Sequence, residues 1–217
     1  MNMSELLKKL ETYADSDYLP MHMPGHKRRM GDLGNPFFID ITEIDGFDDL
    51  HHAEGILKQA EERAAELYGS EETHYLVNGS TSGILAAISG CTAAGGTVLL
   101  ARNSHKSAYH AVLLRGLHVH YIYPQPAGKM GINGPVTAEN VDRLLEEHPE
   151  TKMVYITSPT YDGVVSDVEQ IAEVVHRRKL PLIVDEAHGA HFPFSEYFPK
   201  DSVSCGADVV IHSVHKT

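Results

Sequence analysis

Leu182-Ile183-Val184-Asp185-Glu186-Ala187-His188-Gly189 is the stretch on which the fold turns. Three branched apolar residues in a row show no alternation, so this short strand is buried on both faces, as in a parallel sheet covered by helices. The run then stops at two carboxylates. Working outward, the same grammar recurs. Residues 153–157 (MVYIT) lead into Ser158-Pro159-Thr160-Tyr161, and Val98-Leu99-Leu100 leads into Arg102-Asn103-Ser104-His105-Lys106. Tyr75-Leu76-Val77 leads into Asn78-Gly79-Ser80-Thr81-Ser82, and residues 209–212 (VVIH) lead into Ser213-Val214-His215-Lys216-Thr217. Each is an apolar strand that ends in a polar cluster.

Helical patterns separate these strands. Residues 55–68 carry Ile56, Leu57, Ala60, Ala64 and Leu67 on one face and stop at Gly69, a natural C-terminal cap. Ser80 or Thr81 opens a second helix with Ile84, Leu85 and Ile88 inward, Ser104 caps a third that ends at Gly116, and Thr137 opens a fourth with Val141, Leu144 and Leu145. Ser166 and Glu169 have the spacing of a capping box, and the helix they open carries Ile171, Val174 and Val175 before finishing on Arg177, Arg178 and Lys179. The alternation predicts an α/β fold in three layers, a mostly parallel sheet with helices on both faces. Ligands of such sheets bind beyond the carboxyl ends of the strands. Residues 1–15, with Leu6, Leu7, Leu10 and Tyr13 at helical spacing, read as an amphipathic helix, and residues 124–135, rich in Pro and Gly, as a flexible loop.

The polar clusters at the strand ends describe one site. Gly79-Ser80-Thr81 suits an anionic group: the glycine admits a close backbone, the hydroxyls donate, and the following helix offers free N–H groups. An ordinary helix N-cap is the plainer reading. Asp185 follows Leu, Ile and Val, and a carboxylate in that setting needs a cationic or strongly donating partner. A protonated pyridine nitrogen would serve, and a turn cap is the alternative. Ala187 is small enough for a flat ring to lie against the strand end; His105 can stack on the ring's other face or be a hydrogen-bonded loop residue. Lys216 ends a buried strand, where desolvation lowers an amine's pKa as Schiff-base chemistry requires. Phosphate cup, pyridinium carboxylate, ring sandwich and amine together describe pyridoxal 5'-phosphate. His51-His52 and His188-Gly189-Ala190-His191 suggest zinc only weakly, with no Cys or third His at ligand spacing, so no metal is expected.

The segments His22-Met23-Pro24-Gly25-His26-Lys27, Asp48-Asp49-Leu50-His51, Arg102-Asn103-Ser104-His105-Lys106-Ser107, Pro159-Thr160-Tyr161-Asp162-Gly163, Val184-Asp185-Glu186-Ala187-His188-Gly189-Ala190-His191 and Ser213-Val214-His215-Lys216-Thr217 together resemble those of the bacterial arginine/lysine/ornithine decarboxylases, fold type I pyridoxal-phosphate enzymes. The resemblance runs from about His22 to Thr217. It implies decarboxylation of a basic amino acid to an amine by a homo-oligomer, with Lys216 as the covalent anchor of the cofactor, Asp185 as partner of the pyridine nitrogen and His105 stacked on the ring. Gly79, Ser80, Thr81, Ser213 and His215 would then hold the phosphate, Thr160, Ala187 and His188 would border the cofactor, and Gly25, His26 and Lys27 would lie near the mouth of the site. It further implies an N-terminal helix and active-site arm over residues 1–50 and a large cofactor-binding domain over 51–217. Beyond Thr217 the family adds an antiparallel strand and a small C-terminal domain, so this stretch by itself is expected to be inactive. An aminotransferase or lyase on the same chassis, or an inactive remnant, are the competing readings.

Composition bounds the partners. With 18 basic and 30 acidic residues the net charge is -12, which argues against nucleic acid and anionic membranes; it is compatible with a small cationic amino-acid substrate, though a solvated acidic surface is the plainer reading. Two cysteines, Cys91 and Cys205, read as free thiols in a reducing, cytoplasmic setting. No apolar run approaches membrane-spanning length.

Overall fold

A computed structural model of the chain describes residues 5–22, 26–27, 34–128 and 131–217. The backbone falls into two compact units, the first reaching Asp40 and taking in Lys216, the second holding Ile41–His215 and Thr217. In the first, helix α1 (Glu5–Ala14) begins where the amphipathic pattern becomes describable, since residues 1–4 lie outside the described set. Its Leu6, Leu7 and Leu10 are exposed, and in its last turn the Tyr13 hydroxyl meets His22 Nε2 at 2.7 Å.

The second unit is built on five parallel strands: β1 (Thr97–Ala101), β2 (His118–Ile122), β3 (Thr151–Thr157), β4 (Leu182–Asp185) and β5 (Val209–Ile211), in the spatial order β2-β1-β3-β4-β5. The helices are α2 (Ile56–Tyr68), α3 (Gly79–Cys91), α4 (Lys106–Arg115), α5 (Ala138–Glu147) and α6 (Val168–Arg177). Successive strand side chains point to opposite faces, and this sorts the core into two layers. Leu99, Val154, Ile156, Leu182 and Val184 pack with Val141, Leu145, Ile171 and Val175 of α5 and α6. Val98, Leu100, Met153, Tyr155, Ile183 and Ile211 pack with Ile84, Ile88, Ala108 and Ala111 of α3 and α4. The expected three-layer α/β arrangement is thus the observed one.

Several local expectations need correction. No strand forms at residues 75–77, where Tyr75, Leu76 and Val77 are exposed; no described strand lies alongside to accept a ladder. Strand β2, which the sequence reading passed over, occupies the sheet edge, so its alternating HVHYI needs only partial burial. Helix α2 turns Glu61 and Ala65 inward and leaves Ile56 and Leu67 exposed. Its Gly69 cap adopts the expected left-handed conformation, with φ 68°. The start of α4 is capped by His105 instead of Ser104, whose hydroxyl donates to Ala101 O. Asp167, not Ser166, caps α6, because Ser166 Oγ is occupied in accepting from Val136 N at 3.0 Å. In the 124–135 segment, residues 129–130 lie outside the described set, and the rest pairs as a short hairpin with a Pro126–Asn133 bridge.

Before α2, Asp48 gathers four backbone N–H groups, from Asp49, Glu54, Gly55 and Leu57, at 2.8–3.1 Å. These donors, Glu54 foremost, hold its carboxyl down to about 2 from an ordinary 3.8, and partial desolvation opposes them. Among the described residues no helix is long and apolar enough to cross a membrane.

Candidate active site

Asp185 closes β4 and, like Ile183 two residues earlier, faces the α3/α4 layer. It is 3% exposed, its Oδ2 accepts from the Tyr155 hydroxyl at 3.2 Å, and its Oδ1 accepts from Ala187 N at 3.2 Å. Burial, and then the charge of Asp185, push the Tyr155 phenol well above its ordinary value, so Tyr155 stays a donor. The turn beyond the strand buries Ala187 and leaves His188 half-buried, with its ring edge-on to Tyr161 at 5.9 Å.

On the same face lie the starts of two helices. Gly79 enters α3 at φ +68°, which a glycine adopts without strain, and the helix's N-cap, Asn78, makes no side-chain hydrogen bond to the first turn. Gly83 lies against β5, since a Cβ there would stand 3.5 Å from Ile211 Cγ2. Thr81 Oγ1 meets Ser107 Oγ at 3.1 Å and ties the first turn of α3 to the first turn of α4, just past β1. The start of α3 therefore lies over the carboxyl edge of the sheet, where Ser213 follows β5. Ser80 is half-buried there, while Thr81 and His105 are exposed. His105 uses Nδ1 to accept from Ser107 N at 3.3 Å, which fixes the ring at the helix start.

Ser213 is 3% exposed, and its Oγ has no hydrogen-bond partner among the described residues. His215 is exposed, and Lys216 completes the 3-10 turn Val214–Lys216 that follows β5. Thr160, past β3, is buried, and its Oγ1 accepts from Val164 N at 3.1 Å, so part of its capacity is spent on closing its own turn. Of the three residues expected near the mouth, Gly25 lies outside the described set; Lys27 Nζ donates to His22 O at 3.2 Å within the first unit, which also holds His26.

Sequence reasoning missed the residue next to Asp185. The strand pleat turns Glu186 to the opposite face, where it is 1% exposed and accepts from Ser202 N at 3.1 Å and meets His212 Nε2 at 3.1 Å. Tyr68 lies over His212 at 4.7 Å between ring centroids and donates its hydroxyl to Ala190 O at 3.0 Å. Burial, then the Glu186 charge, raise the Tyr68 phenol. The only signal was an Asp-Glu pair at a buried strand end, whose two members must point apart.

The edge fits pyridoxal 5'-phosphate. A partnerless buried hydroxyl at Ser213 and an uncapped start of α3 are donors in want of an acceptor, and a held carboxylate at Asp185 shares their face of the sheet. Parallel strands with this edge define the large domain of a fold type I pyridoxal-phosphate enzyme. Within that class the chain belongs to the Orn/Lys/Arg decarboxylase family, whose major-domain model matches residues 4–217. It is 40% identical over 98% of its length to an uncharacterized protein, YaaO, of Bacillus subtilis (strain 168), covering 46% of that protein. It is 35% identical over 97% of its length to an arginine decarboxylase of Halalkalibacterium halodurans, covering 45% of it. Among solved structures, lysine decarboxylase A from Pseudomonas aeruginosa superposes with a TM-score of 0.70 at 25% identity, over 95% of this chain and 32% of that one. The chain thus spans under half the length of the curated relatives named here.

Proposed function

We propose that the whole protein decarboxylates a basic amino acid, arginine, lysine or ornithine, to the corresponding amine. Asp185 carries the reading: a carboxylate buried at the carboxyl end of β4, oriented by the Tyr155 hydroxyl and Ala187 N at 3.2 Å each, is the group a protonated ring nitrogen would pair with. Pyridoxal phosphate supplies an electron sink next to the substrate's Cα. Asp185 keeps the pyridine nitrogen protonated, with Tyr155 and Ala187 N fixing its direction. Lys216 would supply the amine that anchors the cofactor's aldehyde and would be the group to return a proton to the substrate's Cα. Ser80, Thr81, Ser213 and His215, with the free N–H groups after Gly79, hold the phosphate. His105 covers one face of the ring, and Thr160, Ala187 and His188 border the other side. We also infer a homo-oligomer and a reducing, cytoplasmic setting. Support for the setting comes from Cys91 and Cys205, which are both free thiols.

Full-length protein incubated with arginine, lysine and ornithine should release carbon dioxide and one amine. A keto acid in place of the amine would assign an aminotransferase instead. Lys216→Ala should abolish the visible band of bound cofactor together with nearly all turnover, and an unchanged spectrum would refute the assignment of Lys216.

A further inference from the structure

Away from the carboxyl edge, two histidines and a glutamate converge. His120 lies on edge strand β2, His148 is the C-cap of α5, and Glu150 immediately precedes β3, at the amino-terminal side of the sheet. Glu150 Oε1 stands 3.4 Å from His120 Nε2 and 3.7 Å from His148 Nδ1. The two imidazoles stack with 3.4 Å between centroids and 11° between planes. One ligand atom from each residue falls within 4.8 Å of the other two, and among the described residues no other group of three does so.

We propose that His120, His148 and Glu150 bind a divalent transition-metal ion, zinc above all, with water completing the shell. Zinc bonds of about 2.0–2.2 Å in tetrahedral geometry separate neighbouring ligand atoms by about 3.3 Å, so the observed spacings need to close only slightly. Parallel rings cannot both aim a lone pair at one ion, so one imidazole turns about its Cβ–Cγ bond on binding. Both rings are partly exposed, at 34% and 27%, and a cavity of about 190 Å³ beside His148, Pro149 and Thr151 leaves room for that turn. The donor set suits the ion: two neutral imidazoles and one carboxylate leave a single positive charge, which is tolerable on a wetted surface. Bound there, the ion would clip edge strand β2 to the connection between α5 and β3, across β1. An ordinary imidazole–carboxylate contact would need no ion and would show no preference for one.

The test is a titration of the full-length protein with Co²⁺, followed by visible d–d absorption and by displacement with Zn²⁺. Glu150→Gln, which keeps the shape of the side chain, and His120→Ala are run alongside. Wild type should bind one equivalent more than either variant, with a tetrahedral or five-coordinate cobalt spectrum, and saturating Zn²⁺ should raise its Tm by roughly 5 °C more than theirs. Weak binding to the protein's other histidines is common to all three proteins and cancels in the difference. Identical cobalt spectra and identical Tm shifts in wild type and both variants would overturn the site. Should His120→Ala fail to fold, Glu150→Gln alone decides, because it leaves β2 unaltered.

Discussion

Asp185 is worth two measurements, because its task and its support sit on different residues. Asp185→Asn should still capture the cofactor but lower carbon dioxide release by about two to four orders of magnitude, the scale of a lost electrostatic contact at a reacting centre. Wild-type rates in that variant would make the carboxylate a mere turn cap. Tyr155→Phe removes one oxygen and leaves the core filled, so it should cost about 1–3 kcal/mol in a urea midpoint, as for a hydrogen bond to a charged group. Asp185 was legible in the sequence because an acid directly follows Leu182, Ile183 and Val184; Tyr155, 30 residues earlier, was not, since only the β3–β4 register brings it alongside. At Asp48 the folded carboxyl titrates at about 2 and the unfolded one near 3.8. Its stabilisation is therefore complete only above about pH 5 and drains away as the pH falls past 3.8 and through about 2. The stability gap between wild type and Asp48→Asn should accordingly close between pH 5 and pH 2, and a gap that stays constant over that range would show that the N–H cage does not prefer the ionised form.

At the level of elements, the strands buried on both faces and the helices between them could be read directly, because Val98-Leu99-Leu100 and Leu182-Ile183-Val184 carry their burial in their composition. Helix starts were harder. Ser104 and Ser166 look like caps, yet the hydroxyl of each is taken by backbone across a loop, and the cap passes to the next residue. Edge strand β2 was illegible for the complementary reason: with one neighbour and partial burial, its sequence keeps polar residues. The loops after β3 and β4 interlock more tightly than the sequence suggests. A Cβ on Gly189 would stand 2.7 Å from Glu186 Cγ and 2.9 Å from Pro159 Cδ. Gly189→Ala should therefore cost about 1–3 kcal/mol and displace the carboxyl edge of the sheet. Thermal melts together with the cofactor's absorbance would register both effects, and a variant matching wild type in each would show that Glu186 can yield.

For the second unit taken whole, stability should be graded across the sheet. Strands β1, β3 and β4 lie inside the order β2-β1-β3-β4-β5 and bury nearly every side chain, whereas β5 is three residues long and partly exposed. Native-state hydrogen exchange should be slowest at Leu100, Tyr155 and Ile183 and clearly faster at Val209 and Val210. Equal protection across all five strands would mean that the sheet opens only as one body. The Glu186 contact has a consequence of a different kind. Its carboxylate joins Ser202 to His212, and Gly189 leaves it the space to do so. A change at position 186 alone strands the half-buried His212, and a side chain at 189 alone evicts the carboxylate. Positions 186, 189 and 212 should therefore pass through evolution as one inherited character, drifting together across relatives or not at all.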